Sequence, residues 1–261
     1  MRNTANHNHT PLPLPAGQTL LIDADDTLWE NYIYFEQTIN AFIRYLDHPQ
    51  HTYDEVRTFL NGIERESIQE HGYGLHSFRR SLLRCFASLS PGPVTPEHHQ
   101  KITGLTHAIA NHPIELLPGV ATTLPQLAAR HQLILMTKGN LEEQTGKVAR
   151  SGLRQHFTAV EVPAEKDPPA YRAVLEKYSL EAAATWMIGN SPKSDINPAL
   201  AAGLHAVLVT HPHTWVLEHE ELRPAPPGQH FFRCSTFSGL TPIFCCPEWT
   251  TDTRLQNGAK G

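Results

Sequence analysis

The sequence has no apolar run close to the roughly 18 residues that a membrane span needs. It has no basic stripe either. Its 21 Lys and Arg stand against 26 Asp and Glu, a formal net charge of -5, which argues against a nucleic-acid polymer as partner. Cysteine is scarce. Cys85, Cys234, Cys245 and Cys246 match no zinc spacing, and adjacent Cys245 and Cys246 are poorly placed to bridge each other. Reduced thiols are the simpler reading. The N-terminal MRNTANHNHTPLPLPAGQ lacks the apolar core of a signal peptide. Residues 1–18 therefore read as a disordered leader, with the cytoplasm as the expected location. The 17 histidines include no helical His-x-x-x-His pair with an acidic third ligand. Among their clusters, His205, His211, His213 and His219 are the candidates for a metal, with solvated loop residues as the plain alternative.

What is present points to a globular α/β protein. The 261 residues are 40% hydrophobic and 18% charged, enough for one sizeable domain or a domain with a smaller insert. Short apolar strands are expected at 19–23, 132–137, 157–162, 184–190 and 205–210. Helical patterns follow most of them: 119–130, then LEEQTGKVARSGL, PPAYRAVLEKYSL and DINPALAAGL. Strand and helix alternating at short intervals indicate a parallel sheet with crossover helices. Strands apolar on both faces fit a sheet covered on both sides. From 30 to 113 the pattern is helical throughout. Ile33, Phe35, Ile39, Phe42, Ile43 and Leu46, for instance, fall three and four apart. The expected organisation is a leader at 1–18, an α/β core at 19–29 and 114–222, a helical insert at 30–113, and a tail at 223–261 that packs locally or is disordered. Within the core, HPHTWVLEHEE (211–221) reads as a helix on its edge.

LIDADDTLWE poses the functional question. A strand-like run ends in Asp23, Asp25 and Asp26. Carboxylates so close repel, and burying one without compensation is costly. Open parallel sheets bind ligands at the carboxyl ends of their strands. Four strand ends here carry unusual polar groups: Asp23 with Asp25; Thr137 with Lys138, Gly139 and Asn140; Lys166; and Gly189 and Asn190 with Asp195. Several oxygen ligands suit Mg²⁺. A carboxylate beside Mg²⁺ can attack a phosphoryl group, and a second one two residues on can point into the same pocket and move the proton. A hydroxyl, a backbone amide and a lysine can hold the other phosphoryl oxygens.

These motifs together resemble the haloacid dehalogenase superfamily of hydrolases. DADDTL is similar to its first motif, Asp-x-Asp-x-Thr; LILMT, ending at Thr137, to its second; Lys166 to its third; and GNSPKSD to its fourth. The resemblance spans residues 19 to 210. It implies a Rossmann-like core and a C1-type cap formed by the helical insert. It also implies Asp23 as nucleophile, Asp25 as acid/base, and Thr137, Lys138, Gly139 and Lys166 around the phosphoryl group. Mg²⁺ would sit on Asp23, the backbone carbonyl of Asp25, Asn190 and Asp195. The implied activity is Mg²⁺-dependent hydrolysis of a small phosphorylated metabolite through an aspartyl-phosphate. Asn190 departs from the pattern, since most of the phosphatases carry aspartate there. Two rivals follow from it: a metal-independent hydrolase of the dehalogenase type, and a weakly catalytic binder of a phosphometabolite. In the insert, HGYGLHSFRR, with Tyr73, His76, Arg79 and Arg80, is the most site-like stretch, and Trp29, Glu30 and Asn31 read as the link between core and cap.

Overall fold

The computed structural model describes residues 14–245. Most of the expected leader and the end of the expected tail, Cys246 included, lie outside those residues. Six strands form one parallel sheet in the order β3-β2-β1-β4-β5-β6. They are β1 (Thr19–Ile22), β2 (Gln132–Met136), β3 (Ala159–Glu161), β4 (Thr185–Gly189), β5 (His205–Val209) and β6 (Phe231–Cys234). The helices are α1 (Tyr32–Leu46), α2 (Tyr53–His71), α3 (Leu75–Leu89), α4 (Pro96–Ala110), α5 (Val120–Ala128), α6 (Leu141–Arg150), α7 (Pro168–Lys177) and α8 (Asn197–Ala201). None among the described residues is long and apolar enough to cross a membrane.

Side chains alternate across a strand, so β1 serves two cores at once. Leu20 and Ile22 pack with Leu133, Leu135, Trp186 and Ile188 on one face. Leu21 packs with Ile134, Met136, Met187 and Tyr171 on the other. Each such buried aliphatic side chain contributes about 1.5–3 kcal/mol. This explains the unbroken apolar runs in the sequence. It also fixes the register, because a one-residue slip would exchange the two faces. Strand order reverses at β1, with β2 on one side and β4 on the other. Open sheets bind ligands at such a switch point, and the Asp23 amide sits there, donating to Ile188 O at 2.9 Å.

Helices α1–α4 fall between β1 and β2 and bury a core of their own, including Ile39, Phe42, Leu60, Leu82, Cys85 and Ile102. Local signals set their ends. Thr52 and Glu55 form a reciprocal capping box for α2, and Thr95 caps α4, which begins at Pro96. The outgoing and returning links run side by side. Glu30 N donates to Glu115 O, and Leu117 N to Leu28 O, both at 2.9 Å.

Two expectations are corrected. The segment after 222 is not a tail throughout, because Phe231–Cys234 pairs in parallel with β5. Phe237, Leu240, Ile243 and Phe244 then enter the main core. The strand is only four residues long and the turns after it have no period, so periodicity alone missed them. Gly119 records the close docking: at φ +88°, any Cβ on it would lie 2.9 Å from Ser238. A chain ending at Gly228 would lose these four buried side chains, each worth about 2–5 kcal/mol, against a total stability of about 5–15 kcal/mol. We expect no cooperative unfolding transition from it by circular dichroism.

The second correction concerns 211–221, which is not a helix. Apart from one turn at Val216–Glu218 it is irregular. Its carbonyls serve side chains from the neighbouring turn instead. Leu217 O accepts from Lys193 Nζ and Glu221 O from Asn197 Nδ2, so the apolar spacing of Trp215–Leu217 has no helical counterpart.

Candidate active site

The three carboxylates of DADDTL have three different partners. Asp23 is 7% exposed. One of its oxygens accepts from Lys166 Nζ, the other from Thr27 Oγ1 at 2.8 Å. Lys166 also donates to Asp195 Oδ1 at 2.8 Å, and Ser191 N donates to Asp195 Oδ2 at 2.9 Å. Burial pushes the Asp23 carboxyl up to about 7; Lys166 opposes the rise and Asp195 adds to it. Lys166 itself is raised, because the attraction of Asp195 and Asp23 outweighs the burial that alone would lower it. Two buried carboxylates thus share one ammonium.

Asp25 is differently held. Lys147 Nζ contacts both its oxygens at 2.9 and 2.8 Å, Gln144 Nε2 donates at 2.9 Å, and Trp29 Nε1 donates at 2.7 Å. Burial alone would raise its pKa, but the Lys147 ammonium and these hydrogen bonds hold the carboxyl below its usual range. Asp26 is structural. Its Oδ1 accepts from the amides of Asn31 and Tyr32 at 2.9 and 3.0 Å, tying the start of α1 to the strand end. It adopts φ +60°, a left-handed conformation that Asp tolerates better than most residues. Asp26 also lies against Glu30 and His211, with one ligand atom from each residue within 4.8 Å of the others. His211 is the one histidine of the 205–219 group that joins such a cluster among the described residues. His205 instead contacts Ala183 O and His230 N. This group does not include the residues expected to hold Mg²⁺.

One cavity of about 180 Å³ is lined by Asp23, Asp25, Thr137, Lys138, Gly139, Lys166, Asn190 and Asp195, all the site residues expected from sequence. Thr137 directly follows β2, and its amide donates to Glu161 O at 3.0 Å. Gly139 has φ +143°, and a Cβ there would meet Gln144 Nε2 at 2.8 Å. Gly189 is required by a still closer approach, since its Cβ would stand 2.3 Å from Asp195 Oδ2. Asn190 Oδ1 accepts from Thr27 Oγ1 at 3.4 Å. In HGYGLHSFRR, Tyr73 and Gly74 line the cavity, joined by Ser77, Phe78 and Ser81. His76, Arg79 and Arg80 are not among the lining residues, and His76 and Arg80 are exposed.

Sequence reasoning missed several polar residues of the wall, among them Gln144, Lys147, Ser194 and Glu218. The first two sit one turn apart on α6 and reach Asp25, so helical spacing of polar residues behind the second motif was the available signal. Glu218 gave none. It arrives from the irregular 211–221 segment and accepts from Lys138 Nζ at 2.6 Å, from Ser191 Oγ at 2.7 Å and from Ser194 Oγ. Burial would raise its pKa, but Lys138 and the two serines hold it low. The Lys138 amine is therefore engaged by Glu218, by Ser194 at 2.8 Å and by Tyr73 Oη at 3.2 Å. Glu218→Ala leaves this ammonium without its nearest carboxylate. We expect a loss of about 3 kcal/mol in urea unfolding.

The comparisons give the family. The family model for haloacid dehalogenase-like hydrolases matches residues 18–203. A haloacid dehalogenase-like family hydrolase from Xanthomonas campestris is 30% identical, over 84% of this chain and 91% of that one, with a TM-score of 0.67. A 2-haloacid dehalogenase from Pseudomonas syringae pv. tomato is 21% identical over 86% and 96% of the two chains, with a TM-score of 0.56. A predicted phosphoglycolate phosphatase from Haemophilus somnus is 17% identical over 86% and 96%, with a TM-score of 0.58. No curated protein matches the chain. The chain belongs to the haloacid dehalogenase-like hydrolases. Its fold is shared by dehalogenases and phosphatases alike, so the choice between them rests on the site.

Proposed function

We propose that this hydrolase is a Mg²⁺-dependent phosphatase of a small phosphorylated metabolite, working through an aspartyl-phosphate on Asp23. One observation carries the reading. Asp23 and Asp195, both buried, have a single ammonium between them among the described residues, while Asp25 of the same cavity is matched by Lys147, so three carboxylates stand against two ammoniums. Full ionisation of this set calls for another cation. The donors at hand are hard oxygens: the Asp23 and Asp195 carboxylates, the Asn190 carbonyl and the Asp25 backbone carbonyl. That set suits Mg²⁺, which also keeps waters in its shell.

When bound, Mg²⁺ supplies positive charge against the phosphoryl oxygens and the carboxylates. The remaining work belongs to side chains. A carboxylate oxygen of ionised Asp23 attacks phosphorus, and the phosphorus–ester oxygen bond breaks. The Thr137 hydroxyl and the amides of Lys138 and Gly139 face the phosphoryl oxygens, with Lys166 holding Asp23 in line. Asp25 donates a proton to the departing alkoxide. It then takes one from the water that attacks phosphorus, which frees Asp23 and releases phosphate. Paired with Lys147, Asp25 carries no proton at rest, so it first takes one from solvent as that pairing loosens; the proton it later takes from the attacking water restores it for the next turnover.

The dehalogenase reading is favoured by one residue, Asn190, which makes the fourth strand end less acidic. Asp25 weighs against it, since a second carboxylate beside the nucleophile serves proton transfer to an alkoxide, and halide needs none. The test is phosphate release from phosphorylated metabolites and p-nitrophenyl phosphate, with Mg²⁺ and with EDTA, beside halide release from 2-haloacids. Turnover confined to phosphate esters and to Mg²⁺ supports the proposal; halide release that survives EDTA refutes it. Asn190→Asp should lower the Mg²⁺ concentration for half-maximal rate about tenfold, by adding one charge to the ligand set. An unchanged requirement would place Asn190 outside the metal's shell.

A further inference from the structure

The cavity continues from Asp23 into the helical cap, and there its chemistry changes. Phe35 and Ile39 of α1, Ile68 of α2 and Phe78 of α3 make an apolar wall. The two rings stand edge to face, with centroids 5.0 Å apart. Into this wall α2 projects Glu64, 6% exposed. Its carboxyl makes no hydrogen bond and no ion pair among the described residues, and Oε2 is fully enclosed. An unpartnered carboxyl buried in a ligand cavity calls for a physical reason.

The neighbours do not provide one. Arg57, two turns earlier on α2, is the cation that acts on Glu64. Its Nη2 is engaged, by Glu36 at 2.6 Å and by Tyr32 Oη at 2.8 Å; its Nη1 is enclosed and makes no hydrogen bond, to Glu64 or to any other described residue. Glu36 and Glu64 together carry two negative charges against one on Arg57, so the group is one cation short. The serines of the wall are also committed. Ser77 Oγ donates to Ser67 O at 3.2 Å, and Ser81 Oγ to Ser77 O at 3.0 Å. Burial pushes the Glu64 carboxyl up to about 7, with Arg57 opposing and Glu36 adding. This is the behaviour of an acid whose counter-charge is missing.

We propose that the cap end of the cavity is an ammonium subsite, in which Glu64, in the cavity wall it shares with the rings of Phe35 and Phe78, recognises a cationic nitrogen on the leaving group. Resting on the phosphatase reading, it makes the preferred substrates phosphate monoesters of amino alcohols. A carboxylate supplies the charge, aromatic rings add cation–π attraction, and the dry wall strengthens both by excluding water. A neutral sugar or alkyl chain would leave the carboxylate uncompensated.

The experiment compares matched esters. A series of ω-aminoalkyl phosphates of graded chain length is set against the n-alkyl and ω-hydroxyalkyl phosphates of equal heavy-atom count. At the chain length that reaches Glu64, kcat/KM should favour the amine at least tenfold over both neutral partners. Glu64→Gln should bring that ratio close to one. Thermal unfolding of Glu64→Gln and Glu64→Leu should show both variants folded, with midpoints at or above that of the parent, as expected when an unpaired buried carboxyl is removed. Equal kcat/KM for amine and alkyl esters at every length overturns the inference, and so does a preference that survives Glu64→Gln. A hydroxyalkyl ester as good as the amine overturns it in favour of a neutral donor. Titration of the same pairs into the Asp23→Asn protein reads the subsite without turnover. If no ester is hydrolysed by the parent, the phosphatase reading fails alone; equal Kd values for amine and alkyl esters in Asp23→Asn remove the subsite.

Discussion

Asp23→Asn should abolish phosphate release, by a factor of at least about 10³, and should leave the protein folded and more heat-stable at neutral pH. The first effect follows from the nucleophile. An amide oxygen does not form the acyl-phosphate, and the remaining groups of the cavity then have nothing to deliver the phosphoryl group to. The second follows from the charge. The folded protein holds the Asp23 carboxyl up to about 7 rather than the ordinary 3.8, chiefly through burial. The folded state therefore binds this proton more tightly than the unfolded chain. Its contribution to stability is complete below about 4 and is lost as pH rises through about 7. Asparagine has no proton to lose. In metal-free buffer the Tm of the parent should fall relative to Asp23→Asn between about pH 5 and pH 8. Added Mg²⁺ should narrow that gap by neutralising the carboxylate. Parallel Tm profiles for the two proteins would show that Asp23 is ionised without cost, and would remove the argument for a missing cation.

Lys166→Met has the largest expected effect on stability. Lys166 is 4% exposed and stands between Asp23 and Asp195, both almost fully buried. Methionine fills much the same volume but carries no charge, and the two carboxylates are then left facing each other. Removing one partner of a buried ion pair costs about 3–5 kcal/mol, because the remaining charge is uncompensated. That is a large part of a stability of about 5–15 kcal/mol. Urea unfolding should show this loss at neutral pH and a smaller one in mild acid, where protonated Asp23 relieves the repulsion. Mg²⁺ should recover more stability in Lys166→Met than in the parent. Equal stability of the two proteins at neutral pH would mean that Asp23 and Asp195 are not packed against one ammonium in solution. Turnover should be lost as well, through misplacement of the nucleophile.

The same residues show what could be read without coordinates. Leu20–Ile22, Leu133–Met136 and Trp186–Ile188 are apolar at every position. Only a sheet covered on both faces buries them all, so strand identity and parallel pairing were legible. The strand-end polar residues were legible for a related reason. A carboxylate or a lysine at the end of a buried run is costly unless it meets others, and all eight meet in one cavity. The helices of the insert announced themselves through spacing and caps. Beyond these the sequence was silent. Phe231–Cys234 is too short to have a period, and its docking depends on β5 offering an edge. Trp215–Leu217 has helical spacing, yet Lys193 and Asn197 take the backbone carbonyls on either side of Glu218.

Local pattern by itself determined the alternation of strands and helices, the order of the motifs, and the identity of the groups at the strand ends. These depend on period, on turn chemistry and on the cost of burying charge, all written within a few residues. Tertiary structure alone decided the partners. It gave Asp23 to Lys166, Asp25 to Lys147 and Trp29, and Asp26 to the backbone of the cap link, and it left Glu64 with none among the described residues. The reason is that a charge reports its need for a counter-charge in the sequence, but not where that counter-charge comes from. Lys147 lies 122 positions from Asp25 and Lys166 lies 143 from Asp23. Only the folded chain brings such distances down to a hydrogen bond.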